Sequence, residues 1–292
     1  MAAHRKVVRM ETSMEKYYKD VNSMINYSHI RIENPGPADF HLHDRYEIYF
    51  FLSGNVNYFI EKKVYPLHFG DLLLMNSHEI HKPHFLPGEP YERIVIHFDS
   101  SIAQALSSPS FDLLGCFADR PTGEQNRIGL NRKQCDEILK LFGRLEALSG
   151  ETANGSDVLR LAAFLELLVF INRAFRSTLP PGEAMPHVPE KLAPVLDYID
   201  LNLEGDLSLE TLEKHFFLNR FYLSRLFRQV TNSSLHEYIQ FKRISRAKRL
   251  LAEGCNVTEA CVRSGFNDYS NFLRMFRRTV GLSPGQYRKS LK

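Results

Sequence analysis

At 292 residues, with 43% apolar and 24% charged side chains and no tryptophan, the chain has the make-up of an ordinary globular protein long enough for two cores, which excludes disorder as its main state. No apolar run approaches the ~20 residues of a membrane-spanning helix, and the N-terminal stretch lacks a signal-peptide apolar segment, so the cytoplasm is the expected address and no membrane partner is expected. The net charge of +3 is unevenly spread: residues 190–292 carry 17 Lys and Arg against 11 Asp and Glu, whereas residues 1–189 carry 20 against 23. A polyanion is therefore the expected partner of the last third alone.

Strand signals come first in the chain. Between residues 29 and 99, β-branched and aromatic runs at Tyr46–Leu52, Tyr58–Ile60 and Ile94–Phe98 are separated by turn formers at Asn34-Pro35-Gly36, Ser53-Gly54-Asn55, Gly70-Asp71 and Pro87-Gly88. This spacing predicts a compact β-sandwich or barrel. From residue 131 the apolar period becomes helical, over Cys135–Leu148 and Val158–Phe175. Those faces suit either a dimer surface or helices that cover the barrel. Cys116, Cys135, Cys255 and Cys261 are scattered, which argues against disulfides and a Cys-based zinc site. A Pro-rich break between Leu179 and Pro189 marks an interdomain linker.

Beyond it a pattern occurs twice. Leu223-Ser224-Arg225-Leu226-Phe227-Arg228 corresponds to Phe272-Leu273-Arg274-Met275-Phe276-Arg277. A candidate first helix precedes each, Ser208–Phe216 and Thr258–Ser264, opened by an N-cap hydroxyl. Short turns follow, Phe217-Leu218-Asn219 and Gly265-Phe266-Asn267, giving two helix-turn-helix units. Apolar side chains at three-to-four spacing face the core, which turns Arg220, Ser224, Arg225 and Arg228, and Ser270, Arg274, Arg277 and Arg278, outward. An arginine on such a face is ordinarily only solvated; here the whole constellation points to DNA. The joining helix, near Leu235–Leu251, carries Lys242, Arg243, Arg246, Lys248 and Arg249, some of them expected at phosphates.

Residues 190–289 resemble the DNA-binding domain of the AraC family of transcription regulators. The resemblance rests on Gly265 through Phe272, Arg274 through Arg278, Gly281-Leu282-Ser283-Pro284, Tyr287-Arg288, and Arg243 through Ala247 to Leu250-Leu251. It implies base contacts from Phe221, Ser224 and Arg225 in the first unit and from Tyr269, Ser270, Leu273 and Arg274 in the second, with Arg228, Arg277 and Arg278 on phosphates. Glu213 stands where the family has a small Ala, which is expected to loosen the first unit. Asn232 replaces a Gly but tolerates the left-handed turn.

Gly36, His41, His43, Glu47 and Gly54 resemble the first motif of cupin barrels, and Gly70-Asp71 with His81 a weaker second one, in which Asn76, His78 and Phe85 depart from the pattern. Strand alternation would turn His41, His43, Glu47 and Tyr49 into one cavity. With His81, these residues form an expected small-molecule site. His41, His43, Glu47 and His81 equally suit a divalent Zn, Ni or Fe ion, although no cofactor is required.

The expected fold is α+β in two domains. A cupin-like barrel with an N-terminal arm spans 1–130, its helical dimerisation or packing segment 131–180, a linker 181–190 and the double helix-turn-helix domain 191–292. The resemblance implies a ligand-responsive activator of metabolic genes, acting as a homodimer on promoter half-sites with RNA polymerase, a sugar being the family-level effector. The rival is a metal-dependent cupin enzyme fused to a DNA-binding domain.

Overall fold

The computed structural model describes residues 24–177 and 188–291. The expected N-terminal arm, apart from its last residues, and most of the expected linker lie outside the described residues. The N-terminal unit is built from β1 (Ile25–Ile32), β2 (Tyr46–Ser53), β3 (Val56–Ile60), β4 (Lys63–Pro66), β5 (Asp71–Met75), β6 (His81–Phe85), β7 (Tyr91–Phe98) and β8 (Arg127–Gly129). They form an antiparallel five-stranded sheet in the order β1-β7-β2-β5-β8 and a three-stranded sheet in the order β4-β3-β6.

The period of two decides what each face buries. On β2, Ile48 and Phe50 point to a cluster that includes Ile94, Ile96 and Phe98, while Tyr49 and Phe51 point inward with Tyr58, Leu73, Tyr91 and Val95. The first cluster is closed by α1 (Ser100–Leu106), α2 (Gly115–Ala118), α3 (Arg132–Ser149) and α4 (Ser156–Ser177). Ile138, Phe142, Leu145, Phe164, Leu167 and Ile171 of α3 and α4 are all 0–1% exposed within that cluster. Of the two readings of this segment, the cover for the barrel therefore accounts for its most apolar faces.

Polar groups inside this layer are matched. Asn172 accepts from the Cys116 N–H at 3.0 Å and donates to the carbonyls of Leu113 and Leu168. Arg120 and Glu79, both fully buried, pair through two bonds of 2.6 and 2.7 Å. Glu79 also accepts from the backbone N–H groups of Asn76 and Gly123.

The C-terminal unit holds α5 (Ala193–Leu201), α6 (Leu209–Phe216), α7 (Arg220–Thr231), α8 (Leu235–Ala252), α9 (Val257–Arg263), α10 (Tyr269–Val280) and α11 (Pro284–Ser290). Tyr238, Ile239, Ile244, Leu250 and Leu251 of α8 form the buried seam that both helix-turn-helix units share. Ser208 caps α6 as expected, but α9 is capped by Asn256, which accepts from the Glu259 N–H at 2.9 Å, two residues before the expected Thr258. In the second turn Gly265 has φ +92°, and a Cβ there would lie 1.9 Å from the Leu203 carbonyl oxygen, so no other residue fits.

The two units share a face. Phe40, Leu42, Phe59 and Ile80 of the barrel are buried in the same cluster as Phe227, Tyr238 and Leu223. The three-stranded sheet thus turns its outer face not to solvent but to the DNA-binding unit.

Candidate nucleic-acid interface and effector site

Each recognition helix is set by its caps. Asn219 accepts from the Phe221 N–H at 3.0 Å to open α7, and Asp268 accepts from the Asn271 N–H at 2.9 Å to open α10. The helices end on left-handed Asn232 (φ 53°) and Gly281 (φ 81°), whose N–H groups close onto the carbonyls of Arg228 and Arg277. Asn232 thus adopts the conformation expected of it. Glu213, expected to loosen the first unit, instead accepts from the Arg220 N–H at 3.3 Å and ties α6 to the start of α7.

Leu223 and Phe227, like Phe272 and Phe276, are fully buried, and this fixes the opposite faces. Arg225 and Arg228 are exposed on α7, as are Tyr269, Ser270, Arg274, Arg277 and Arg278 on α10. Ser224 and Leu273 are half-buried at the edges of those faces. Phe221, at the start of α7, is 72% exposed. Arg220 is held by Glu210 at 2.5 Å and lies over the Phe221 ring, so it is less free than its neighbours.

Most of the α8 cations, some of them expected at phosphates, are engaged inside the molecule. Lys242 is enclosed by Glu61 at 2.6 Å and Asp200 at 2.8 Å; Lys248 is 1% exposed and pairs with Asp44 at 2.6 Å. Arg243 donates to the carbonyls of Leu203 and Gly205, and Arg246 pairs with Glu204. These groups hold the molecule together, and among the five only Arg249 is exposed.

Inside the barrel, one oxygen of Glu47 gathers three imidazoles. Its Oε2 lies 2.8 Å from His43 Nε2, 3.1 Å from His97 Nε2 and 3.2 Å from His81 Nε2. Burial opposes ionisation of Glu47, yet the charge of His81 and hydrogen bonds from His43, His81 and His97 hold it well below the usual carboxylate range. Burial also pulls His81 down, but attraction to Glu47 prevails and raises it. His43 is lowered, chiefly by burial.

His41 is not part of this knot. Residues 41–45 run as irregular chain apart from one bridge between His41 and His81, so the alternation assumed for them does not hold. His41 stacks on the His81 ring at 5.6 Å, and its own pKa falls to about 4, mainly through desolvation by the surrounding protein and the nearness of His81. Tyr49 is fully buried, its hydroxyl 2.9 Å from that of Tyr91. His97, which no motif marks, faces Glu47 because β2 and β7 pair those two residues directly.

The donor set fits a metal ion. Nδ1 of His43 must donate to the Arg45 carbonyl at 2.8 Å, and Nδ1 of His81 to the Glu79 carbonyl at 2.9 Å. Each Nε2 therefore donates to Glu47 only where its ring is imidazolium, and otherwise sets a lone pair against the carboxylate. A divalent cation bound by these nitrogens and the carboxylate removes that conflict. His43, Glu47 and His97 offer ligand atoms within 4.8 Å of one another.

The segment that carries His43 also borders the other unit. Phe40 lies against Tyr238 and Phe241, and Asp44 accepts from Tyr287 at 3.3 Å. A groove of about 530 Å³ opens between the units, lined among others by Phe40, His41, His43, Glu237, Met275 and Arg278.

Comparison with known proteins gives the two halves in matching order. Residues 26–168 match the family described as AraC-like ligand binding domain, and residues 212–290 match a helix-turn-helix domain. The transcriptional activator AarP of Providencia stuartii is 31% identical over 100 residues, 34% of this chain and 74% of its own. The chain belongs to the AraC family of transcription regulators. Its similarity to the transcriptional activator RhaR of Mannheimia succiniciproducens, 24% identity over 280 residues, covers 96% of both chains, so both halves of the regulator are present in order. A solved DNA-binding domain, that of AdpA in complex with a target DNA, is 30% identical and covers 35% of this chain and 93% of its own, with a TM-score of 0.33. Like its relatives, this AraC-family chain is a DNA-binding transcription regulator, and among its described residues no helix is long and apolar enough to cross a membrane.

Proposed function

We propose that this regulator is a ligand-responsive activator that works as a cytoplasmic homodimer, binds repeated promoter half-sites and engages RNA polymerase there, and catalyses no reaction of its own. The observation that carries the reading is the pair of capped helices with exposed Arg225 and Arg274 at equivalent positions. Arg225 with Ser224 and Phe221, and Arg274 with Tyr269, Ser270 and Leu273, read base edges; Arg228, Arg277 and Arg278 bind phosphates and fix the register. The activator role agrees with the names of AarP and RhaR.

The barrel is the sensing site, with a sugar as the family-level effector class. Its coupling to DNA runs through Asp39–Asp44, since His43 touches Glu47 while Phe40 and Asp44 are clamped to α8 and α11. A ligand that binds at His43 with different affinity in the clamped and released states shifts that equilibrium. A divalent metal held by His43, Glu47, His81 and His97 would supply a fixed positive charge to which hydroxyl or carboxylate oxygens of a ligand bind. Footprinting on upstream DNA, with and without added hexoses and with and without Zn or Ni, tests the reading. Protection whose extent changes with one of these additions is expected; the absence of sequence-selective protection under every condition contradicts it.

A further inference from the structure

We infer that the effector carries a carboxylate and that Arg93 binds it, which makes the ligand of the barrel an acidic sugar, a hexuronate or an aldonate, and not a neutral one. This rests on the reading of the barrel as the sensing site. On β7 the inward residues are Tyr91, Arg93, Val95 and His97, so Arg93 enters the interior four residues before the histidine that meets Glu47.

Most buried or half-buried cations of this molecule are matched by a carboxylate: Arg120 by Glu79, Lys242 by Glu61 and Asp200, Lys248 by Asp44. Arg93 is not. Its guanidinium lies over the rings of Tyr49 and Tyr91, 5.7 and 5.8 Å from their centroids, and its buried Nε has no acceptor among the described residues. Aromatic faces hold the plane of a guanidinium but leave its edge free, and that edge is the fork that pairs with a planar carboxylate.

The neighbours complete a receptor of the same kind. The hydroxyls of Tyr49 and Tyr91 are 2.9 Å apart, so one donates to the other and the second proton remains to be donated elsewhere. Tyr58 stands between this pair and the histidine knot, 4.8 Å from the Tyr49 ring and stacked on His81 at 6.1 Å. Arg93 and the phenols lie toward one end of this interior and the imidazoles and Glu47 toward the other. Hydroxyl groups suit the second end and an acid group suits the first.

The test titrates the full chain with galacturonate, glucuronate and gluconate against galactose and glucose, following tyrosine fluorescence and thermal unfolding, in wild type, Arg93→Gln and Arg93→Lys. At least one acid is expected to bind about tenfold or more tighter than its neutral parent. Arg93→Gln is expected to bring the two within about twofold, with Arg93→Lys between, because lysine keeps the charge without the fork. Equal binding of acid and neutral sugar by wild type, no binding of any of the three acids, or unchanged acid binding by Arg93→Gln overturns the inference. Salt-dependent retention of DNA by the same samples separates this failure from failure of the regulator reading, and an unfolding midpoint of Arg93→Gln close to that of the wild type shows that the barrel of the variant is folded.

Discussion

Lys242 of α8 and Glu61, on the turn between β3 and β4, lie 2.6 Å apart across the boundary of the two units, both largely buried, and Asp200 closes on the same ammonium at 2.8 Å. Glu61 also accepts from the Ile80 N–H at 2.8 Å, so the pair joins barrel, α5 and α8 in one network. Neutralising one partner leaves a buried charge uncompensated, at a cost of about 3–5 kcal/mol. Lys242→Met is therefore expected to uncouple the units, so that calorimetry resolves two transitions where the wild type is expected to give one. A single transition at the wild-type temperature would show that the contact contributes nothing.

Glu79 and Arg120 stabilise the barrel alone. Arg120→Ala leaves Glu79 buried without its partner and is expected to cost about 3–5 kcal/mol, measured by denaturant unfolding. Burial resists ionisation of Glu79, but the Arg120 pair and the backbone N–H groups of Asn76 and Gly123 prevail and lower its pKa below the usual 4.5. A depressed carboxyl stabilises above its unfolded pKa and loses that contribution as pH falls through the folded value. The wild type is thus expected to lose stability below about pH 4.5, and Arg120→Ala to lose less there. Equal acid sensitivity in both proteins would count against this assignment.

Metal binding has a direct readout. Zinc at about a hundredfold excess over its Kd adds about 2.7 kcal/mol to folding, a rise of several degrees in the unfolding midpoint. Glu47→Gln and His97→Gln are expected to abolish the rise, whereas His41→Gln keeps it, since His41 stacks beside the knot and does not reach Glu47. No zinc-dependent rise in the wild type, or loss of the rise in His41→Gln alone, would remove the site.

The cations on the recognition faces divide by role. Arg228→Ala and Arg277→Ala are expected to weaken binding to all sequences alike, each reducing the slope of log affinity against log salt by about 0.9. A change confined to one DNA sequence would place that arginine on a base.

Much of this was legible in the sequence because the signals are local. The repeat of Leu223–Arg228 in Phe272–Arg277 carries its own period, and burying Leu223, Phe227, Phe272 and Phe276 fixes which arginines face out. What depends on strand register or on contact between the units was not legible. His97 is an isolated histidine in an apolar strand until β2 and β7 are paired, and His41 was aligned with His43 by an alternation that the irregular chain at 41–45 does not follow. That Lys242 and Lys248 are engaged internally has no sequence signal, because their partners, Glu61 and Asp44, lie some two hundred residues away in the other unit. Arg93 gave no sequence signal, since what sets it apart is that it lies over two rings while its Nε finds no acceptor among the described residues.

The central claim is that two recognition helices read one duplex, and selection of bound sequences from a random DNA pool tests it most directly, with wild type beside an Arg225→Ala, Arg274→Ala double variant. The wild type is expected to enrich a two-part site with its halves about one helical turn apart, and the double variant to bind with salt dependence but no enrichment. No enrichment by the wild type under any sugar, acid or metal condition, or the same enriched site from the double variant, would contradict the account.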